Sequence, residues 1–240
     1  MSDYDRIGAG YARRRRADPR IAWRVEAALG AAASVINVGA GAGSYEPRGR
    51  QIIAVEPSIE MIRQRQTPAH VVQARAEALP FADGSVDAAM AVLTVHHWQD
   101  KAKGLRELRR VARGPVVILT FDPAHRPWLA DYFPALATLD EAQMPAIADY
   151  QTWLGPVRIE TVPVPHDCHD GFLYAYWRQP QAYLDPEVRA RSSSFWSIGT
   201  LEAGLARLAD DLASGAWDAR YGDLRTIDAY DAGYRLIVAD

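Results

Sequence analysis

Three groups of residues in this 240-residue chain are of types that do chemistry. The first is Gly39-Ala40-Gly41-Ala42-Gly43. It follows the apolar run Val35-Ile36-Asn37-Val38 and precedes a second one, Ile52-Ile53-Ala54-Val55, which ends in Glu56. Glycine takes positive φ freely and lets backbone approach a ligand closely. An ionised carboxylate is an acceptor only and can take two hydrogen bonds from a ribose diol. Strand, glycine turn, helix, strand, acid is the order that builds a nucleoside crevice at the carboxyl ends of two parallel strands. The second group is His96 and His97, directly after the apolar run 86–93, with Asp122 closing the run 115–121. Imidazole titrates near neutrality, so either histidine is a candidate proton acceptor beside that crevice, and Asp122 is a second. The third group is His166-Asp167-Cys168-His169-Asp170. Its nitrogen, sulfur and oxygen donors invite a metal. The paired Cys or His spacing of a structural zinc site is missing, so no metal is expected. The cluster reads instead as polar lining of a substrate pocket, through His166 and Asp167, or as a turn with Asp170 capping a helix.

These groups need a scaffold to hold them. Apolar runs predict strands near 34–38, 51–55, 70–73, 86–93, 115–121, 157–164 and 233–238, and Leu105, Leu108 and Val111 predict a helix over 102–111. Strands alternating with helices through short links predict an α/β fold, a doubly wound parallel sheet, as a single domain over 1–240. Residues 1–30 read as an N-terminal helical cap. It breaks at Asp18-Pro19, carries Ile21, Val25 and Leu29 at helical spacing, and stops at Gly30. Two stretches, 123–155 and 166–230, exceed crossover length and read as helical, aromatic lid insertions. The second contains a helix with Leu201, Leu205, Leu208 and Leu212 on one face. The aromatic residues of these stretches are either the lid's own core or a cap over an apolar ligand, with Tyr176 and Trp177 as substrate contacts.

Hydrophobic residues make up 49 % of the chain and its net charge is −3. That composition is globular, and the charge argues against nucleic acid as a partner. The run Arg13-Arg14-Arg15-Arg16 is a local exception, read as a solvated helix face or as a source of one carboxylate-binding arginine. Cys168 is the only cysteine, so no intrachain disulfide can form. No apolar run approaches the roughly 18 residues of a membrane span, and the first residues lack a signal core. The expectation is a cytoplasmic protein with no membrane partner.

Val35 to Gly43 resembles motif I of the class I S-adenosylmethionine-dependent methyltransferases. Ala54-Val55-Glu56-Pro57-Ser58 resembles the acidic second motif, Ala76 to Phe81 the third, and Asp87 to Trp98 the fourth strand and its loop. The resemblance runs over 34–98, extends to about Asp122, and is to the broad small-molecule branch that includes ubiquinone and menaquinone C-methyltransferases and natural-product O-methyltransferases. It implies a Rossmann-like, seven-stranded sheet whose last strand is antiparallel, and S-adenosyl-L-methionine as cofactor. The cofactor would be held by Gly39, Ala40, Gly41, Gly43, Glu56, Pro57, Met61, Ala76, Glu77, Leu93 and Thr94, with Tyr11 and Arg16 at its methionyl end. It implies methyl transfer to a small-molecule acceptor, with O-methylation expected, by a monomer or homodimer that needs no metal. In some sugar O-methyltransferases of the family, a histidine in the strand-four loop and an aspartate ending strand five assist the acceptor proton. His96 and Asp122 fall on those places, with His97 beside them. One departure is Arg75, where many relatives carry an aspartate near the adenine amino group. Two other readings remain. One is a nicotinamide-dependent oxidoreductase, disfavoured because Ser44 stands one residue past a G-x-G-x-G loop that is not G-x-G-x-x-G. The other is the same fold without methyl transfer, as a pericyclase-like catalyst or a regulatory cofactor-binding module.

Overall fold

In the computed structural model, which describes residues 15–240, the chain begins with helix α1 (Pro19–Ala28). Asp18 caps α1 by accepting from the Arg20 amide at 2.9 Å, and Pro19 fills the first turn, where no intrahelical N–H is needed. Gly30, at φ +57°, ends the run. The strands are β1 (Ser34–Val38), β2 (Gln51–Val55), β3 (His70–Val72), β4 (Ala88–Val92), β5 (Val116–Phe121), β6 (Val157–Thr161) and, last in the chain, β9 (Tyr234–Ala239). They form one sheet in the order β3-β2-β1-β4-β5-β9-β6. β1 to β5 pair in parallel, and β9 runs antiparallel to both β5 and β6.

Side chains alternate across the sheet with the period of two that strands impose. Ala88, Met90, Val117, Leu119, Leu236 and Val238 enter one core, together with Ile21, Val25 and Leu29 of α1. Ala89, Ala91, Val116, Ile118 and Ile237 enter the other, with Leu105, Leu108 and Val111 of α3 (Lys101–Val111). Burial on both faces explains why the central strands β1, β4, β5 and β9 read as near-continuous apolar runs, whereas the edge strands β3 and β6 are partly exposed.

Three features differ from the sequence reading, each for a physical reason. No helix joins β1 to β2. Gly39, Gly41, Gly43 and Gly49 all have positive φ, and Pro47 stands among them, so residues 39–50 are a chain of turns. The side chain of Arg50 closes this connection instead, donating to the carbonyls of Glu26, Leu29, Gly30 and Ala32 at the end of α1. The run 157–164 is two strands, because Pro163 has no N–H to donate. β6 ends at Thr161, and β7 (Val164–Pro165) pairs with β8 (Ala229–Tyr230) in a separate small sheet. In 123–155, α4 (Leu129–Tyr132) and α5 (Pro134–Gln143) join the α1 face. α6 (Ile147–Leu154) lies on the opposite face, packed on α3 with Tyr150 donating to Thr120 at 3.0 Å, so it is a crossover helix.

The aromatic residues of 166–230 are mostly core. Trp128, Tyr132, Tyr183 and Trp217 meet edge to face around Trp128, with centroids 5.3–5.9 Å apart. Such pairs each contribute about 0.5–1.5 kcal/mol beyond their burial. The Leu201–Leu212 periodicity becomes α9 (Glu202–Ser214), which buries Leu208 fully and the other three partly. Among the described residues, no helix is long and apolar enough to cross a membrane.

Candidate cofactor and acceptor site

A cavity of about 610 Å³ opens at the carboxyl ends of β1, β2 and β4, as the sheet order requires. Its floor is the turn after β1. The amides of Gly39 and Ala40 both donate to the Val55 carbonyl, at 2.8 and 3.0 Å, and that of Gly43 to the Ala40 carbonyl at 2.9 Å. The Gly41 amide donates to Glu56 Oε2 at 2.8 Å. These four N–H groups therefore shape the loop and are not left to cradle a ligand. With no helix after the turn, the usual seat of a dinucleotide's pyrophosphate is missing.

Gly39 needs to be glycine twice over. Its φ is +70°, and a Cβ there would stand 2.0 Å from Thr94 Oγ1. Gly43 serves a different neighbour. It lies outside the cavity wall, and its missing Cβ makes room for Glu46, which pairs with Arg65 at 2.6 Å while Thr67 donates to it at 2.8 Å. Both charged side chains are almost fully buried, and Arg65 also donates to the Gly41 carbonyl at 2.9 Å, which braces the turn from behind.

Glu56, 6 % exposed, faces the cavity from the end of β2. One carboxylate oxygen accepts from Gly41 and the other from the Ser58 amide at 2.9 Å. A carboxylate has about four acceptor sites in all, so amide partners do not by themselves exclude hydroxyl donors from the cavity.

The opposite wall follows β4. Leu93 is the only non-glycine residue at positive φ (+52°) among the described residues, a strained backbone at the cavity edge. Thr94 packs on Gly39, and a single 3-10 turn, Val95–His97, then turns His96 and His97 to the cavity. Their rings lie 3.9 Å apart between centroids. Burial, then the neighbouring charges of His97, Lys101 and Arg15, hold the His96 pKa well below the ordinary imidazole value. That direction favours the neutral ring, the form that can accept a proton.

Arg15 closes the cavity from the N-terminal side. It donates to both oxygens of the fully buried Asp170, at 2.5 and 3.0 Å, and the Tyr45 hydroxyl donates to the same carboxylate at 2.9 Å. The His166–Asp170 cluster thus anchors the N-terminal segment. The His169 amide donates to Asp18 at 3.0 Å, and Asp167 pairs with Arg20 at 2.7 Å on the surface. Burial pushes the Cys168 thiol up to about 12. Among the described residues, no three His, Cys, Asp or Glu side chains converge as a metal site.

A family profile described as a methyltransferase domain matches residues 36–118. A probable S-adenosylmethionine-dependent methyltransferase of Mycobacterium tuberculosis is 35 % identical over 77 residues, 31 % of this chain and 28 % of that protein. The ubiquinone/menaquinone biosynthesis C-methyltransferase of Hahella chejuensis is 31 % identical over 115 residues, 40 % of this chain and 46 % of its own length. The chain thus spans less than half the length of these curated relatives. A solved structure extends the likeness to the whole fold. This is a putative methyltransferase from an antibiotic biosynthesis pathway of Anabaena variabilis, 35 % identical, with a TM-score of 0.87 over 94 % of this chain and 98 % of that one. The chain belongs to the S-adenosylmethionine-dependent methyltransferase family.

The family's cofactor fits what the cavity offers: a buried carboxylate fixed by two amides for a ribose, and a turn that Gly39 lets pack against Thr94. Of the residues expected to touch it, Gly39, Ala40, Gly41, Glu56, Pro57, Met61, Ala76, Glu77, Leu93 and Thr94 line the cavity, with His96 and His97. Gly43 does not, for the reason given above. Arg16 is exposed and does not line the cavity, where Arg15 does, and Tyr11 lies outside the described residues.

Asp122 is also off the cavity. Its carboxylate caps its own turn, accepting from the Ala124 amide at 3.0 Å, and faces Arg235 of β9 at 3.8 Å. His166 and Asp167 stand at the surface turn that holds α1. Trp177 is core, its indole donating to the Val164 carbonyl at 3.0 Å, and the Tyr176 hydroxyl accepts from Arg191 at 2.6 Å. The arginine that lines the cavity from the run 13–16 is Arg15 and not Arg16, and sequence reasoning missed the cavity residues Asn37, Tyr45, Gln73 and Gln143. Only Asn37 carried a signal, as a polar residue inside the β-branched run of β1. Its amide donates to Glu46 at 3.1 Å.

Proposed function

We propose that this protein transfers a methyl group from S-adenosylmethionine to a hydroxyl of a small-molecule acceptor. The reading rests on one observation: the half-buried His96 imidazole lines the same cavity as the fixed carboxylate of Glu56. The cofactor, when bound, supplies an electrophilic methyl group on a sulfonium. The chain's own part is alignment and proton handling. Glu56 takes the ribose hydroxyls. Arg15, held in place by Asp170 and Tyr45, takes the carboxylate of the methionyl tail. Leu93 and Thr94 set the wall along which the acceptor approaches. A ring nitrogen of His96 takes the acceptor's O–H proton as the new C–O bond forms. The low pKa of His96 keeps that nitrogen unprotonated at working pH, and His97 and Gln143 border the acceptor's entrance. Asp122 has no part in this scheme. The Anabaena relative's antibiotic-pathway description supports a small-molecule acceptor.

The test is a panel of hydroxyl-bearing small molecules incubated with methyl-labelled S-adenosylmethionine. The expected result is a labelled ether formed one for one with S-adenosylhomocysteine. Tight cofactor binding with no methylated product across phenolic, sugar and hydroxy-acid acceptors would overturn the transfer reading.

A further inference from the structure

Three polar side chains, Gln73, Arg75 and Glu77, line the cavity just beyond β3. Two have partners that fix their use. The Gln73 amide nitrogen donates to the Pro57 carbonyl at 3.1 Å. Glu77 Oε1 accepts the amides of Gln99 and Asp100, at 2.7 and 3.1 Å, and so braces the loop leading into α3. The exposed guanidinium of Arg75 makes no hydrogen bond or ion pair with any described residue. It is a permanent cation with donors only.

Strand order says what it faces. β2, with Glu56 at its end, lies between β3 on one side and β1 and β4 on the other. His96, Leu93 and Thr94 belong to the β4 side. A nucleoside with its ribose on Glu56 and its sulfur toward β4 sends its base over the residues after β3. We propose that Arg75 reads the purine edge by donating to it, and that this site therefore accepts a 6-oxopurine nucleoside as well as the adenine form. The inference rests on the cofactor reading above. A carboxylate here would accept from a 6-amino group and repel a 6-oxo group, and arginine reverses both preferences. Adenine offers the guanidinium a single ring-nitrogen acceptor beside a competing amino donor. Hypoxanthine offers O6 and N7 together, the pair that arginine forks on guanine.

The test is calorimetric titration of S-adenosylhomocysteine and S-inosylhomocysteine into the parent protein, Arg75→Ala and Arg75→Asp. Because Arg75 is exposed and its guanidinium makes no hydrogen bond or ion pair with a described residue, both variants should fold, which circular dichroism checks. The parent is expected to bind the two ligands within about tenfold of each other. Arg75→Ala should weaken the inosyl ligand about fivefold more than the adenosyl one, the loss of a charged hydrogen bond at an exposed site, and Arg75→Asp should widen that gap further. A ratio of the two affinities that neither substitution raises overturns the inference. Failure of the parent to bind either ligand would sink the cofactor reading instead.

Discussion

Glu56 carries two tasks, since its oxygens anchor the Gly41 and Ser58 amides and face the cavity. Glu56→Ala should weaken S-adenosylhomocysteine binding by about tenfold to hundredfold in a titration, the worth of charged hydrogen bonds. Unchanged affinity would move the ribose elsewhere. His96 gives a pH signature. Its pKa is depressed, so the ring stays neutral as pH falls through the ordinary imidazole range. The profile of kcat/KM should be level from about pH 8 to pH 6.5 and fall only below that, and His96→Ala should lower kcat by about 10²-fold. A midpoint near 6.5 that vanishes in His96→Ala would contradict the buried, neutral imidazole. Glu56, the glycines and the histidines were legible because type and local spacing define them. Arg15 was not. A run of four arginines has no phase of its own, and the Asp170 that selects Arg15 lies 155 residues away.

Among the elements, the strands were legible to within a residue or two at most ends, most clearly the central ones, where burial on both faces leaves a near-unbroken apolar run. The helix expected after β1 is absent, because four glycines at positive φ and Pro47 make residues 39–50 a chain of turns. The aromatic stretches leave open a core of their own or a cap over a ligand, and Trp177 and its neighbours fill the α1-side core. Within that core, Asp140 of α5 is 4 % exposed and accepts from the Tyr174 hydroxyl at 3.0 Å. Burial raises its pKa to about 6, against smaller opposing effects of Tyr174 and Arg126. The folded chain thus binds a proton that the unfolded chain has released between about pH 4 and 6. Stability is lost as pH rises through that window, by about 3 kcal/mol for a shift of this size. Asp140→Asn keeps an acceptor for Tyr174 and removes the titration. Denaturant melts from pH 4 to 7 should therefore show the variant gaining on the parent as pH rises, and a constant difference would contradict the buried carboxyl.

At the scale of the whole molecule, the sheet order sets the division of labour. On the proposed reading, the β3 side of the cavity takes the base, the β2 end the ribose, and the β4 end the reacting groups. The N-terminal segment and the 166–170 turn meet at Arg15 and Asp170 to close the same cavity, a tertiary contact with no local sequence signal. The most direct measurement is a crystal structure with S-adenosylhomocysteine. The expected result has both ribose hydroxyls within about 3 Å of the Glu56 carboxylate, the base over Gln73 and Arg75, and the sulfur toward Thr94 and His96. A ligand found outside this cavity, or with its ribose away from Glu56, would contradict it.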